Sequence, residues 1–144
     1  EDHFRITTQR VICRINKADL TTKMMDKSGT IICEDEKGFH WENDDINGGA
    51  IVQLSKKLQS QEHFFGLGDK TGKANMRKNR YSIWGTDSYG YGVDTDPLYK
   101  NIPFYYGIHD DVSYGIFFDN SFRSFYDFGY ERANVTSFWA SGGE

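Results

Sequence analysis

The stretch Gly66-Leu67-Gly68-Asp69-Lys70-Thr71-Gly72-Lys73 combines glycine with lysine. Those two residue types hold phosphate, because glycine lets main-chain N–H groups wrap the anion and lysine neutralises it. The spacing fails the chemistry. A phosphate loop needs Gly, four residues, then Gly-Lys-Ser/Thr, but Leu67 stands where the first Gly belongs and Ala74 replaces the Mg²⁺-binding hydroxyl. The dinucleotide fingerprint fails at Thr71, which occupies the place of its third Gly. The segment therefore reads as a structural turn. Asn43, Asp45, Asn47 and Gly48 imitate the opening of a calcium loop, yet Leu54 sits at the twelfth position, where a bidentate Glu is required. This too reads as a turn.

Other constellations fall short in the same way. His3, His40, His63 and His109 have no partner at i+4 and no neighbouring Cys, so a metal site lacks ligands, and no cofactor site is expected. No Gly-x-Ser-x-Gly elbow is present. Carboxylates are plentiful, but spacing alone pairs no two of them across a scissile bond, so no catalytic residue is assigned. Lys70, Lys73, Arg77, Lys78 and Arg80 form a basic cluster without an interleaved aromatic until Tyr81. Nucleic-acid binding would need stacking rings on a basic domain, and the net charge here is -4. The cluster reads as a solvated loop. Between Trp84 and Tyr106 the chain is rich in Asp and Tyr, a composition suited to sugars, since carboxylates grip hydroxyls and rings cover apolar sugar faces. Composition alone leaves two readings open there, a sugar contact or a loop packing its rings inward.

The elements that must position these residues read as strands. The 144 residues include 9 Tyr, 11 Phe, 3 Trp and 15 Gly but 2 Pro, a balance that favours sheet joined by glycine turns. Val11, Cys13 and Ile15 fall on one face of a strand at period two. Leu20–Met25 and Thr30–Cys33 flank the turn Asp26-Lys27-Ser28-Gly29 and predict a hairpin. Phe39 and Trp41 share one face of a further strand, and 50–54, 81–84, 103–109, 113–119, 121–128 and 137–140 follow as strands, with His109-Asp110-Asp111 as a turn. No segment sustains helical periodicity, so the fold class is all-β, an antiparallel sandwich. Cys13 and Cys33 define no disulfide framework and are expected as two thiols on neighbouring strands, with a bridge as the alternative.

The length suits one domain with a hydrophobic core and is too short to add a (β/α)₈ barrel of about 250 residues. No apolar run approaches the roughly 18 residues of a membrane-spanning helix, so no membrane partner is expected. The first residues, Glu1–Arg5, lack a signal pattern, and any targeting segment is expected to have been removed or to lie upstream. Ala140–Glu144 breaks off just after strand-like residues, and a boundary within a longer chain is expected there.

Four ordered segments carry a resemblance. His63-Phe64-Phe65-Gly66-Leu67-Gly68-Asp69-Lys70-Thr71-Gly72 resembles the "FYGLGEKTG" segment of glycoside hydrolase family 31, the α-glucosidase and α-xylosidase group. Tyr81–Asp87 is similar to its "WNTD" element, with Gly85 in place of the usual Asn. Asp94–Phe104 resembles "TDPLYKSIPF", and Tyr114–Ser124 resembles "YGIFFDNTYRS", completed by Asp127-Phe128-Gly129. Together they span about half the chain in the family's order.

The resemblance implies a galactose-mutarotase-like β-sandwich over residues 1–144, truncated at its C-terminal end, as the N-terminal domain of a retaining α-glycosidase. In that family the sandwich packs beside a (β/α)₈ barrel of the same chain, which carries an aspartate nucleophile and an aspartate acid/base. Neither segment occurs here, so the isolated chain is expected to be inactive. The residue matching the loop that reaches the sugar pocket is Asp87, expected to hydrogen-bond an α-linked oligosaccharide, while Trp84 is expected to anchor the loop. The Gly85 departure loosens that carry-over. The resemblance favours an extracytoplasmic setting, and an exposed apolar interface would promote self-association of the fragment. The alternatives are an autonomous carbohydrate-binding module and a purely structural sandwich.

Overall fold

The computed structural model describes residues 2–44 and 48–143. Eleven strands follow in chain order: β1 (His3–Thr7), β2 (Val11–Asn16), β3 (Thr22–Asp26), β4 (Ile31–Asn43), β5 (Ala50–Lys57), β6 (His63–Gly68), β7 (Arg80–Ile83), β8 (Asn101–His109), β9 (Val112–Phe117), β10 (Ser124–Phe128) and β11 (Val135–Ala140). Every pairing is antiparallel. They form an eight-stranded sheet of order β1-β2-β3-β4-β5-β11-β10-β7, and a three-stranded sheet of order β6-β8-β9.

Local chemistry explains the hairpins. At the β3–β4 turn, Asp26 Oδ1 accepts from the Ser28 hydroxyl (2.6 Å) and from the Ser28 and Thr30 N–H groups, both at 2.8 Å. These bonds hold its carboxyl below the ordinary carboxylate range, the Ser28 hydroxyl contributing most. At the β8–β9 turn, Asp110 and Asp111 both take positive φ, 44° and 62°, as a two-residue turn of mirror-image type demands of its central pair.

The two sheets clasp an aromatic core. Tyr105 of β8 is fully buried, with the rings of Phe64, Tyr114, Tyr126, Phe128 and Phe138 between 5.2 and 6.4 Å from its own. Burying each such side chain contributes about 1.5–3 kcal/mol, and edge-on packing suits the ring quadrupoles. Gly107 lies directly under the Tyr114 ring, where a Cβ would collide with it. That contact lets the Tyr114 hydroxyl reach the buried Glu62 carboxylate at 2.5 Å.

Several expectations need correction. The glycine-rich stretch at Gly66 is strand β6 with a bulge between Gly66 and Gly68, and the chain turns after it. Phe39 and Trp41 do not begin a separate strand but lie in β4, which bends through register shifts between Asp35 and His40. β1, which carries no clear alternation, pairs with β2 throughout. Cys13 and Cys33 are free thiols on β2 and β4, not on adjacent strands: Met24 of β3 stands between them as register partner of both.

The basic run from Lys70 to Arg80 is only partly the solvated loop expected, because Lys70 and Arg77 turn inward while Lys73, Lys78 and Arg80 are exposed. The Lys70 side chain is 3% exposed. Arg77 Nη1 donates to the Glu62 and Gln59 carbonyls at 2.6 and 3.3 Å, Arg80 bridges Asp127 and Glu131, and Met76 is buried in the aromatic core. Hydrogen bonds with a charged donor are about twice as strong as neutral ones, and they offset the cost of taking these cations out of water. The calcium-like residues Asp45 and Asn47 lie outside the described residues.

A pinned loop as the candidate sugar contact

The segment from Trp84 to Lys100 joins β7 to β8, and it is held by an inward-facing lysine. Lys70 Nζ donates to the Ser82 carbonyl (2.6 Å), Asp96 Oδ1 (2.8 Å) and Asn101 Oδ1 (3.1 Å). An ammonium has three donors, and all three are used. The other Asp96 oxygen accepts the Ser82 N–H at 2.5 Å. The Asp96 side chain is 21% exposed, so this charge pair sits at the edge of the interior rather than in bulk water. The phenol of Tyr81 is pushed above its ordinary value by burial first and by the Asp96 charge second.

Further bonds shape the loop around that anchor. Asn101 Nδ2 donates to the Leu98 and Trp84 carbonyls at 2.7 and 3.0 Å. Thr86 Oγ1 donates to the Pro97 carbonyl (2.9 Å), Thr71 Oγ1 to the Thr95 carbonyl (3.0 Å) and the Tyr99 hydroxyl to the Ser88 carbonyl (2.5 Å). The tether from β6 is equally close: Asp69 N–H donates to the Lys100 carbonyl at 2.8 Å.

On this framework Asp87 is exposed, and among the described residues no ion pair or hydrogen bond occupies its carboxylate. Main-chain and hydroxyl bonds at Thr86 and Ser88 fix its two neighbours. The ring of Trp84 does not anchor the loop, being 49% exposed; its carbonyl does, through Asn101. Tyr89, Tyr91 and Tyr99 are exposed too, with Tyr91 and Tyr99 edge to face at 6.1 Å. Between Trp84 and Tyr106, then, the loop's own rings face outward, while Tyr105 on β8 packs into the core. A cleft of roughly 1170 Å³ opens beside Tyr81, Asp94 and Tyr130, and Asp87 is not in its wall.

The buried carboxylates are all committed to structure. Asp35 accepts from Thr22 N, Thr22 Oγ1 and Lys56 Nζ. Glu62 accepts from Tyr114 and the Gln59 N–H, and Asp127 from Arg80 and the Tyr130 N–H. A carboxylate saturated with donors is a poor proton shuttle and a poor nucleophile. Among the described residues no three His, Cys, Asp or Glu side chains converge as a metal site would require. Sequence reasoning named Asp87 but missed Lys70 and Asp96. A lysine between two glycines and next to an aspartate was the available signal, and its basic neighbours masked it.

Comparison with known proteins places this geometry. The family model of the glycosyl hydrolase 31 N-terminal galactose mutarotase-like domain matches residues 1–127. The chain is 28% identical over 132 residues to alpha-glucosidase 2 of Bacillus thermoamyloliquefaciens, covering 89% of this chain and 16% of that protein. It is 33% identical over 87 residues to an alpha-glucosidase of Saccharolobus solfataricus, covering 60% of this chain and 13% of the relative. The solved structure of a Flavobacterium johnsoniae GH31 dextranase complexed with glucose superposes with a TM-score of 0.85 at 40% identity, over 99% of this chain and 17% of the dextranase. The chain thus spans 13–17% of the length of these proteins. It belongs to the glycosyl hydrolase 31 N-terminal galactose mutarotase-like domain family.

Proposed function

We propose that residues 1–144 form part of the N-terminal, non-catalytic domain of a retaining α-glycosidase, packing on a (β/α)₈ barrel of the same parent chain and lending Asp87 to its sugar pocket. The observation that carries this reading is the contrast within one loop: Lys70 and Asp96 pin its base, while Asp87 is exposed without a partner. A carboxylate held out on a pinned loop, and not in the wall of the cleft beside Tyr81, suits a pocket completed by a second body. It would accept hydrogen bonds from the hydroxyls of an α-linked oligosaccharide, and the paired acids that cleave the bond would belong to the barrel.

The test is Asp87→Ala in the parent enzyme. Loss of one charged hydrogen bond of roughly 2 kcal/mol lowers kcat/KM by about 10–100-fold, with no change in the thermal stability of this domain. Unchanged kcat/KM would remove Asp87 from the pocket. The exposed rings of Trp84, Tyr89 and Tyr99 favour one other reading, an autonomous carbohydrate-binding module. Titration calorimetry of the 144-residue chain with maltose and isomaltose separates the two, since a module releases heat and a pocket wall does not.

A further inference from the structure

The cleft beside Tyr81 carries a charge opposite to that of the chain as a whole. Its wall holds the cations Lys73, Arg77, Lys78 and Arg80 and the carboxylates Asp94 and Asp96, on a chain of net charge -4. Pairing sharpens the contrast. Asp96 is neutralised by Lys70 at 2.8 Å, and Arg80 by Asp127 and Glu131 at 3.3 and 2.6 Å. Arg77 Nη1 donates to the uncharged carbonyls of Gln59 and Glu62, so no carboxylate compensates its guanidinium. Lys73, Lys78 and Asp94 are exposed and form no ion pair among the described residues. Lys73, Arg77 and Lys78 against Asp94 leave the cleft positive, and a concave wall concentrates such a potential.

These cations stand on fixed backbone. Lys78 N–H donates to the Phe128 carbonyl at 2.8 Å and Phe128 N–H to the Asn79 carbonyl at 3.0 Å, which docks the loop on the end of β10. Thr71 Oγ1 donates to the Thr95 carbonyl at 3.0 Å and ties the Lys73 segment to the Asp94 segment. Two rings make the cleft more than a charged surface. Tyr81 lines it at 8% exposure, yet its hydroxyl meets no hydrogen-bond partner among the described residues. A phenol buried to that degree ordinarily has one. Tyr130 lines it too and is 67% exposed, with the Arg80 guanidinium 5.7 Å from its ring centre. That ring is steadied without being covered.

We propose that this cleft binds an acidic glycan, a short sugar chain whose rings carry carboxylates, at a site separate from Asp87. Lys73, Lys78 and Arg77 hold the carboxylates, the planar guanidinium matching their geometry. The Tyr81 hydroxyl donates to a sugar oxygen, and Tyr130 covers the apolar face of a ring. The volume, roughly 1170 Å³, exceeds the ~300–1,000 Å³ of a small-ligand pocket and suits several linked rings. A neutral sugar would gain nothing from the excess charge. A nucleic acid would want a series of stacking rings on a basic domain, and this cleft offers one exposed ring on an acidic chain. The choice of a glycan rests on reading the chain as part of a glycosidase, whereas the preference for an anion comes from the charges alone.

Titration calorimetry of the 144-residue chain with trigalacturonate tests this. Its affinity should fall several-fold as salt rises from about 50 to about 200 mM, and isomaltose should bind at least about 10-fold more weakly. Lys78→Gln should weaken trigalacturonate about 10-fold, and Tyr130→Ala should weaken it as well. Asp94→Asn should tighten it, because the substitution removes a repelling charge, and a gain of affinity cannot come from a damaged fold. Asp94→Asn that weakens binding, an affinity indifferent to salt, or isomaltose binding as tightly overturns the proposal. So does inorganic sulfate binding as tightly, which assigns the cleft to an anion alone, or a thymidine oligonucleotide binding more tightly, which assigns it to nucleic acid. Hydrolysis of an α-linked glucoside is assayed on the parent enzyme in parallel. Hydrolysis without trigalacturonate binding sinks the cleft site alone, and binding without hydrolysis sinks the glycosidase reading alone.

Discussion

Lys70 Nζ stands 2.8 Å from Asp96 Oδ1, and the opposite oxygen of Asp96 takes the Ser82 N–H. This one pair joins three segments that are far apart in the chain: the glycine-rich end of β6, the β7 strand that leads to Asp87, and the Asp94–Phe104 stretch that leads into β8. The three acceptors of the Lys70 ammonium, Ser82, Asp96 and Asn101, come from the second and third of these. An ammonium at 3% side-chain exposure is tolerable because each N–H has an acceptor. The loop that carries Asp87 thus inherits its geometry from a residue outside it.

Replacing that cation should therefore cost both stability and order. Lys70→Met leaves Asp96 half-buried with a single donor, and removing one member of a desolvated pair costs about 3 kcal/mol. We expect this loss in urea unfolding, together with faster proteolysis within residues 84–100. A Tm and a cleavage rate matching the native chain would show that the loop is held by other contacts.

Gly68 is required where β6 bulges away from β8. Its φ is +81°, and a Cβ there would meet the Lys100 carbonyl oxygen. Gly68→Ala combines left-handed strain with a clash against backbone that has nowhere to move, together about 2–4 kcal/mol. The Asp69–Lys100 bond should loosen with it. Circular dichroism melts check the cost, and a change under 1 kcal/mol would mean that the backbone yields easily at Lys100, just before β8.

The Asp35–Lys56 pair gives an internal comparison. Asp35→Ala leaves the Lys56 ammonium, whose side chain is 10% exposed, without its counter-charge, and strips Thr22 of its acceptor. The expected loss is about 3–5 kcal/mol. Changing both, Asp35→Ala with Lys56→Met, should cost less than Asp35→Ala alone. If the double variant is the less stable of the two, burial of the lone charge is not the dominant cost.

Alkali should unfold this protein through its buried phenols. Burial raises Tyr105, Tyr114 and Tyr126 above the ordinary tyrosine value, and the Glu62 charge adds to the rise at Tyr105 and Tyr114. A folded pKa above the unfolded one means that the contribution is fully present below about pH 10 and is lost as pH rises beyond it. The slope is about 1.4 kcal/mol per pH unit for each phenol. Absorbance at 295 nm should show these three tyrosines ionising only together with loss of the fold. Titration of all 9 near pH 10 in a protein that stays folded would count against it.

How much was legible in advance follows from how local each feature is. The strand through Val11, Cys13 and Ile15, the Asp26 turn and the turn at Asp110 and Asp111 appear as expected, though His109, read as part of that last turn, ends β8, because strand period and turn preference depend on residues within a few positions of one another. β6 was hidden because its glycines signal a turn as readily as a bulge. Lys70 was misread because a lysine's surroundings are supplied by Ser82, Asp96 and Asn101, none of them its neighbours in the chain.

The amino-acid order by itself determined an all-β chain, its family resemblance and Asp87 as the residue to watch. Only the tertiary structure decided which cations turn inward, that the loop's rings face out, and which strand neighbours which. Periodicity is a property of a few consecutive residues, whereas burial and strand order come from pairings such as β5 with β11, set by packing between residues some 80 positions apart.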